Sequence, residues 1–348
     1  MSYDSFNKLA PTTRVEDVLE FLELLGFRRL LRPQLRLEDE IAQYYWFEET
    51  DYRSYAGVGL SVCKEKEGQL VVHTRTVAGR SYYDLEQQNR IIRGLKKHFG
   101  GTFKTDIGKG RYFPLDGGPP TPAQAGCHLA FQRFGEGLIK ADIYLMHREF
   151  PQEQWKHIGK FEFLDKMNPL LLSNNLLLPY LVSVLEDYFK STFVALLRYS
   201  DRKELFLRGA RLSSEHLLKI SSGESSIETA IAETLPFQRI SSICQHFKSL
   251  EPNLDLAGAL RKPYRRRKKS LFETSEEMVL RRHAFIHQGQ LDTSFDNTEI
   301  EKTLNDLEES VVRCYRRITN YYGWEFDQGW GRGRRSKARK DGNHTNSV

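Results

Sequence analysis

Two rhythms of apolar and polar residues run along the chain, and the place where one gives way divides it. Up to about residue 160, segments rich in β-branched and aromatic residues are mixed with helical patterns; from about Leu164 to Trp324 only the helical period remains. In the first part Val15, Val18, Leu19, Leu22 and Leu25 recur at helical spacing up to Gly26, behind a Thr13/Glu16 capping box. Tyr44 to Glu48, Tyr55 to Lys64 and Gln69 to Val77 predict strands of a meander, separated by Thr50-Asp51 and Lys66-Glu67-Gly68. Ser81 and Asp84 cap a helix that runs to about His98, with Leu85, Ile91, Ile92 and Leu95 inward, and Gly100-Gly101 ends it. After the loop Gly117-Gly118-Pro119-Pro120-Thr121-Pro122, the segments Cys127 to Phe134 and Leu138 to Leu145 predict one more hairpin around Gly135-Glu136-Gly137.

In the second part Pro179 reads as the first-turn proline of a helix whose Leu181, Val184, Leu185, Tyr188, Phe189, Thr192 and Leu196 trace one face. Shorter helices are predicted at Ser213 to Ile220 and Ile227 to Thr234, and another after Pro236, with Phe237, Ile240, Ile243, Cys244 and Phe247 inward. Thr274 and Glu277 form a capping box ahead of a helix stopped by Gly289. Asn297 starts a last long helix that buries Ile300, Leu304, Leu307, Val311, Cys314, Tyr315 and Ile318. The expected fold is α+β: a mostly antiparallel sheet with helices over residues 1–160, a bundle of four or five helices over 165–325, and a disordered basic tail over 329–348.

Composition fits that picture. The chain has 348 residues, enough for two cores, and its 39% hydrophobic and 28% charged residues are those of a globular protein. Its apolar runs read as too short to span a membrane and its first residues lack a signal-peptide pattern, so a cytoplasmic protein is expected. Cys63, Cys127, Cys244 and Cys314 are far apart without a CxxC pair, which argues for reduced buried thiols and no metal site.

Charge changes the picture once it is located. Two basic clusters, Arg261 to Lys269 and Arg332 to Lys340, together carry more than the whole net charge of +6, so the remaining body is mildly acidic. Polyanion binding is expected at those clusters, with Arg265, Arg266, Arg267, Lys268 and Lys269 as phosphate contacts.

Candidate chemistry lies just behind the first cluster, in Arg281-Arg282-His283-Ala284-Phe285-Ile286-His287-Gln288-Gly289. An arginine followed five residues later by a histidine occurs three times, at Arg93/His98, Arg211/His216 and Arg282/His287. Only the last pairs a polar neighbour with a glycine stop, a following long helix and a preceding cationic segment. Five helical positions advance a side chain by about 500°, so Arg282 and His287 are off one ridge, whereas His283 and His287 are nearly aligned.

The second part thereby resembles the HEPN superfamily, helical domains marked by an arginine, an adjacent polar residue and a histidine four to six positions on. Arg282-His283-Ala284-Phe285-Ile286-His287 carries the resemblance, and Leu185-Glu186-Asp187-Tyr188-Phe189-Lys190 is similar to the acidic-aromatic segment of the family's first long helix. It covers roughly Asn168 to Trp324. It implies a metal-independent endoribonuclease needing no cofactor, in which the RNA 2′-OH attacks its own phosphodiester to leave a 2′,3′-cyclic phosphate and a 5′-OH. Arg282 and His287 would be catalytic with His283 assisting. The resemblance also implies a homodimer and a toxin-like or antiviral defence role, and the first half would then take a triggering or inhibitory partner.

Two other readings fit the same residues. One is a non-catalytic helical module that binds RNA, a nucleotide or a partner, with Arg282 and His287 structural. The other is a DNA-binding regulator that uses the basic segments.

Overall fold

The computed structural model describes residues 2–31, 39–65, 68–149 and 165–326. Two compact units follow one another, Met1–Ala125 and Gly126–Val348. The first is an antiparallel sheet with helices and the second is helical throughout its described residues, the expected α+β order. The basic tail expected over 329–348 lies outside the described residues.

In the first unit, strands β1 (Tyr3–Lys8), β2 (Arg28–Arg29), β3 (Glu40–Trp46), β4 (Val58–Lys64), β5 (Leu70–Thr76), β6 (Thr102–Thr105) and β7 (Gly108–Lys109) form one sheet in the order β2-β3-β4-β5-β1-β6-β7. Helices α1 (Val15–Leu24) and α2 (Tyr82–Phe99) cover one face. Val18 and Leu22 of α1 and Leu85, Ile91, Ile92 and Leu95 of α2 share a core with Tyr44, Leu60, Val62, Val72 and Phe103 of the sheet. That core, removed from water, is what holds the sheet to its helices.

The Ser81/Asp84 capping box of α2 is present, with the Asp84 carboxylate also accepting from the backbone N–H groups of Tyr55 and Ala56. The capping box expected for α1 is absent, because Arg14 occupies its N-cap and makes no side-chain cap bond. The sequence pattern also passes over β1, the strand that joins β5 to β6. Its inward Ser5 and Asn7 are polar, so no hydrophobic alternation announces it; they hydrogen-bond to Thr74 Oγ1 and to the Val72 carbonyl instead.

The hairpin expected at Cys127 to Leu145 is one helix, α3 (Pro122–His147). Cys127, Ala130, Phe131, Phe134, Leu138 and Ala141 are all buried and recur at helical spacing, so the period favoured helix despite the two glycines. Gly137 is in the interior because a Cβ there would meet Val184 Cγ1 at 2.7 Å. With α3 helical, the expected division near residue 160 is replaced by one at Ala125.

Helix α4 (Pro169–Arg198) begins ten residues before Pro179, capped by Asn168 with Pro169 in its first turn. Pro179 is therefore an interior proline, not the opening residue. By length and composition α4 is apolar enough to cross a membrane, contrary to the expectation that no such run exists. Its Leu171, Leu178, Leu181, Leu185 and Phe189 are buried among the other helices. Its buried Asn174 and Asn175 bond to the chain after α10, the manner of a bundle's central helix.

The short helices α5 (Lys203–Gly209), α6 (Ser214–Ser221) and α7 (Ile227–Glu233) lead to α8 (Ile240–Leu250) and α9 (Leu256–Arg261). Then come α10 (Leu271–Gln288) and α11 (Asn297–Tyr322), whose expected inward residues, from Ile300 to Ile318, are buried. The capping box of α10 lies one turn earlier than expected, at Ser270 and Glu273, which leaves Glu277 to pair with Lys269 at 2.5 Å. Gly289 ends α10 in the left-handed conformation (φ 63°), as its position predicts.

Candidate active site

The last two turns of α10 present two different groups. On one side His283 and His287 lie one turn apart with ring centroids 4.6 Å from each other, and both are exposed. Among the described hydrogen bonds, ion pairs and ring contacts, each histidine's partner is the other. The two look-alike motifs differ here. His98 packs on Phe21 with centroids 5.1 Å apart, and His216 Nδ1 caps α6 at Ser213 while Nε2 stands 3.4 Å from Glu233. Their imidazoles are used up in structure; those of α10 are not.

On the other side Arg282 turns inward toward α4. Its guanidinium acts on the Glu186 carboxylate, and both Arg282 Nε and Glu186 Oε1 are buried without a hydrogen-bond partner. Burial raises the Glu186 carboxyl above its ordinary value and the charge of Arg282 offsets part of that rise. Arg282 and His287 are thus held in different directions within one chain, as the helical arithmetic requires. Glu186 belongs to the acidic-aromatic segment of α4, whose Tyr188 and Phe189 are buried at 1% exposure.

The loop between α10 and α11 fixes this helix end. Asn175 receives the Asp292 N–H and donates to the Asp292 carbonyl, both at 3.0 Å. Asn174 donates to the Phe295 carbonyl at 2.9 Å and accepts from Arg148 at 2.7 Å. Arg281 lies between Asp292, at 3.4 Å, and Glu299, at 4.0 Å. The signal for this clamp was present as two adjacent asparagines inside an otherwise apolar helix, where an unpaired amide would be costly. Sequence reasoning passed them by.

The basic segment ahead of α10 is a built loop. Tyr264 is 9% exposed and has the guanidinium carbons of Arg265, Arg267 and Arg313 at 5.0, 5.1 and 5.3 Å from its ring centre. Arg313 also donates to the carbonyls of Lys262 and Pro263. Arg265 and Arg266 adopt φ of 49° and 55°, a left-handed bend that non-glycine residues take only under constraint.

Of the five expected phosphate contacts, two are already engaged. Arg267 donates to both oxygens of Asp306 at 2.6 Å, and Lys269 pairs with Glu277. Burial pushes the Asp306 carboxyl up, and Arg267 pulls it only part of the way back. Arg265, Arg266 and Lys268 remain exposed with no ion pair among the described residues. Lys268 borders a cleft of about 700 Å³ between this loop, α10 and α11, into which Arg281 and Lys302 also face.

Free Cys63, Cys127, Cys244 and Cys314 lie apart, and burial lifts the thiols of Cys127 and Cys314 well above the usual range and that of Cys244 to about 12. They suit packing, since the thiolate is the reactive form. Compared with family models, curated proteins and solved structures, the chain matches none.

Proposed function

We propose that the helical unit is a HEPN-type, metal-independent endoribonuclease. The observation that carries this reading is the exposed His283–His287 pair, one turn apart at the end of α10, with Arg282 on the other side of the helix within the electrostatic reach of Glu186. RNA carries its own nucleophile. One imidazole removes the 2′-OH proton, the 2′-oxygen attacks phosphorus, and the bond to the 5′-oxygen breaks as that oxygen takes a proton from an imidazolium. Two imidazoles one turn apart supply a base and an acid, and a guanidinium stabilises the added charge on the phosphorane oxygens. The products are a 2′,3′-cyclic phosphate and a 5′-OH. Exposed Arg265, Arg266 and Lys268 contact the phosphate backbone without choosing a sequence.

Because Arg282 and His287 diverge within one chain, a second copy completes the site. Leu172 and Leu176 on α4 and Ile286 on α10, exposed at 46, 57 and 47%, give the same helices an apolar surface on which two copies can meet. The cellular role belonging to such an enzyme is that of a toxin-like or antiviral effector, restrained or triggered through the first unit.

The test is incubation of purified full-length protein with total RNA in excess EDTA. Wild type is expected to give fragments ending in 2′,3′-cyclic phosphate, and His287→Ala to lose at least about a hundredfold in rate, the usual scale of an acid–base group. Intact RNA with wild type, or equal cleavage by the variant, removes the enzyme reading. The rival is a non-catalytic module in which Arg282 is structural, favoured by its burial against Glu186. It predicts RNA binding without fragments.

A further inference from the structure

The face of the first unit's sheet opposite α1 and α2 has a regular arrangement of its own. Strand alternation and register place three neighbours in line across it, His73 of β5, Phe6 of β1 and Lys104 of β6. The next line holds Arg28 of β2, Tyr45 of β3, Gly59 of β4 and Arg75 of β5. Phe6 is 49% exposed, and its ring lies on that of His73 at 4.5 Å between centroids and 13° between planes. His73 is fixed in turn by a 2.8 Å hydrogen bond to Asp4. A second aromatic pair, Tyr45 and Phe47 with centroids 6.2 Å apart, stands on the other side of Gly59 and Ser61 from the first.

Exposed phenylalanine on a sheet normally costs solubility, and here it has charged neighbours, among which Lys104 lies directly across from it on β6. Arg75 shares Asp4 with His73, Lys8 pairs with Glu65 near the surface, and no described carboxylate pairs with Lys104 or Arg28. Flat aromatic rings interleaved with cations are what unpaired bases joined by phosphates require: stacking for each base and positive charge for the chain between them. A duplex, with its bases stacked inside, offers such a surface only phosphates.

We propose that this sheet face binds single-stranded nucleic acid, stacking one base on Phe6 and His73 and another on Tyr45 and Phe47, with Arg28 and Lys104, neither paired with a described carboxylate, along the phosphate chain. The proposal does not depend on cleavage by the helical unit.

The experiment uses the full chain carrying Arg266→Ala and Lys268→Ala, which removes exposed cations of the helical unit. Fluorescence anisotropy follows its binding to 2′-O-methyl RNA and to DNA, single strands of about twelve nucleotides, and to a duplex of the same sequence. Neither single strand has a free 2′-OH, so absence of ribonuclease activity leaves the measurement intact. The single strands are expected to bind more tightly than the duplex. Adding Phe6→Ala should weaken single-strand binding about tenfold, the scale of one lost stacking contact, while Phe6→Trp restores it. Lys104→Glu should weaken it and flatten its salt dependence. Binding of either single strand in this pattern sustains the proposal, and the tighter one identifies the natural source as RNA or DNA. A Phe6→Ala protein with unchanged circular dichroism and unchanged affinity, or equal binding of duplex and single strand, overturns it.

Discussion

At the scale of single residues the informative contrast is between histidines that are occupied and histidines that are not. Spacing alone made Arg93/His98, Arg211/His216 and Arg282/His287 equivalent, and only packing separates them: Phe21 takes His98, a helix cap takes His216, and His283 and His287 have each other. The alignment of that last pair was legible, since residues four apart share a helix face. The partner of Arg282 was not deducible from spacing, because Glu186 lies on another helix and only tertiary packing brings the two into range. That pairing makes a prediction of definite sign. A carboxyl whose folded pKa is raised contributes stability that is present below its unfolded pKa, about 4.3 for glutamate, and lost as pH rises through the folded value. Ionised Glu186 therefore costs stability at neutral pH. Glu186→Gln should raise the urea midpoint at pH 7, and its advantage should shrink as pH falls and vanish at about pH 3, well below the unfolded pKa, where Glu186 is protonated in both states. The proposed ribonuclease activity should fall if the charge of Glu186 helps to hold Arg282. A lower midpoint at pH 7 would mean that attraction to Arg282 outweighs burial.

Elements are legible where a boundary signal and a period agree, as for Gly100-Gly101 after α2, Pro236 before α8 and Asn297 at the start of α11, and poorly legible where a local signal competes with the period. In α3 the glycines at 135 and 137 outweighed a helical run of buried apolar residues from Cys127 to Ala141, and a hairpin was expected. In α4 Pro179 was taken as a beginning, though Asn168 and Pro169 form the better start. Gly137 has a reason that sequence could not display: it is where α3 passes closest to Val184 of α4. Two effects oppose each other there. Alanine is a better helix former than glycine by about 0.5–1 kcal/mol, but its Cβ would lie 2.7 Å from Val184 Cγ1 and 2.9 Å from Cγ2. Overpacking of this kind costs about 1–3 kcal/mol. Gly137→Ala should therefore destabilise the wild-type chain and stabilise a Val184→Ala chain. The pair of chemical denaturation curves reads the sign directly, and stabilisation in both backgrounds would show that helix propensity, not close approach, governs the position.

For the whole molecule the decisive question is how many chains make one site. If Arg282 of one copy serves His287 of the other, the two losses are separable. Co-expression of Arg282→Ala and His287→Ala chains under different tags, with purification through both, yields dimers holding one copy of each. Of the two composite sites in such a dimer, one has lost both groups and the other has kept both. About half of the wild-type rate should return, although each variant alone is inactive. A site built within one chain gives the opposite result, because each chain then lacks one group and no site is whole. The same preparation tests the proposed apolar contact between copies: Leu176→Glu with Ile286→Glu should abolish recovery of the doubly tagged species and activity together. Helix α4 explains why these outcomes belong together. It brings Glu186 within electrostatic reach of Arg282, clamps the end of α10 through Asn174 and Asn175, and exposes Leu172 and Leu176 on the surface proposed to meet a second copy.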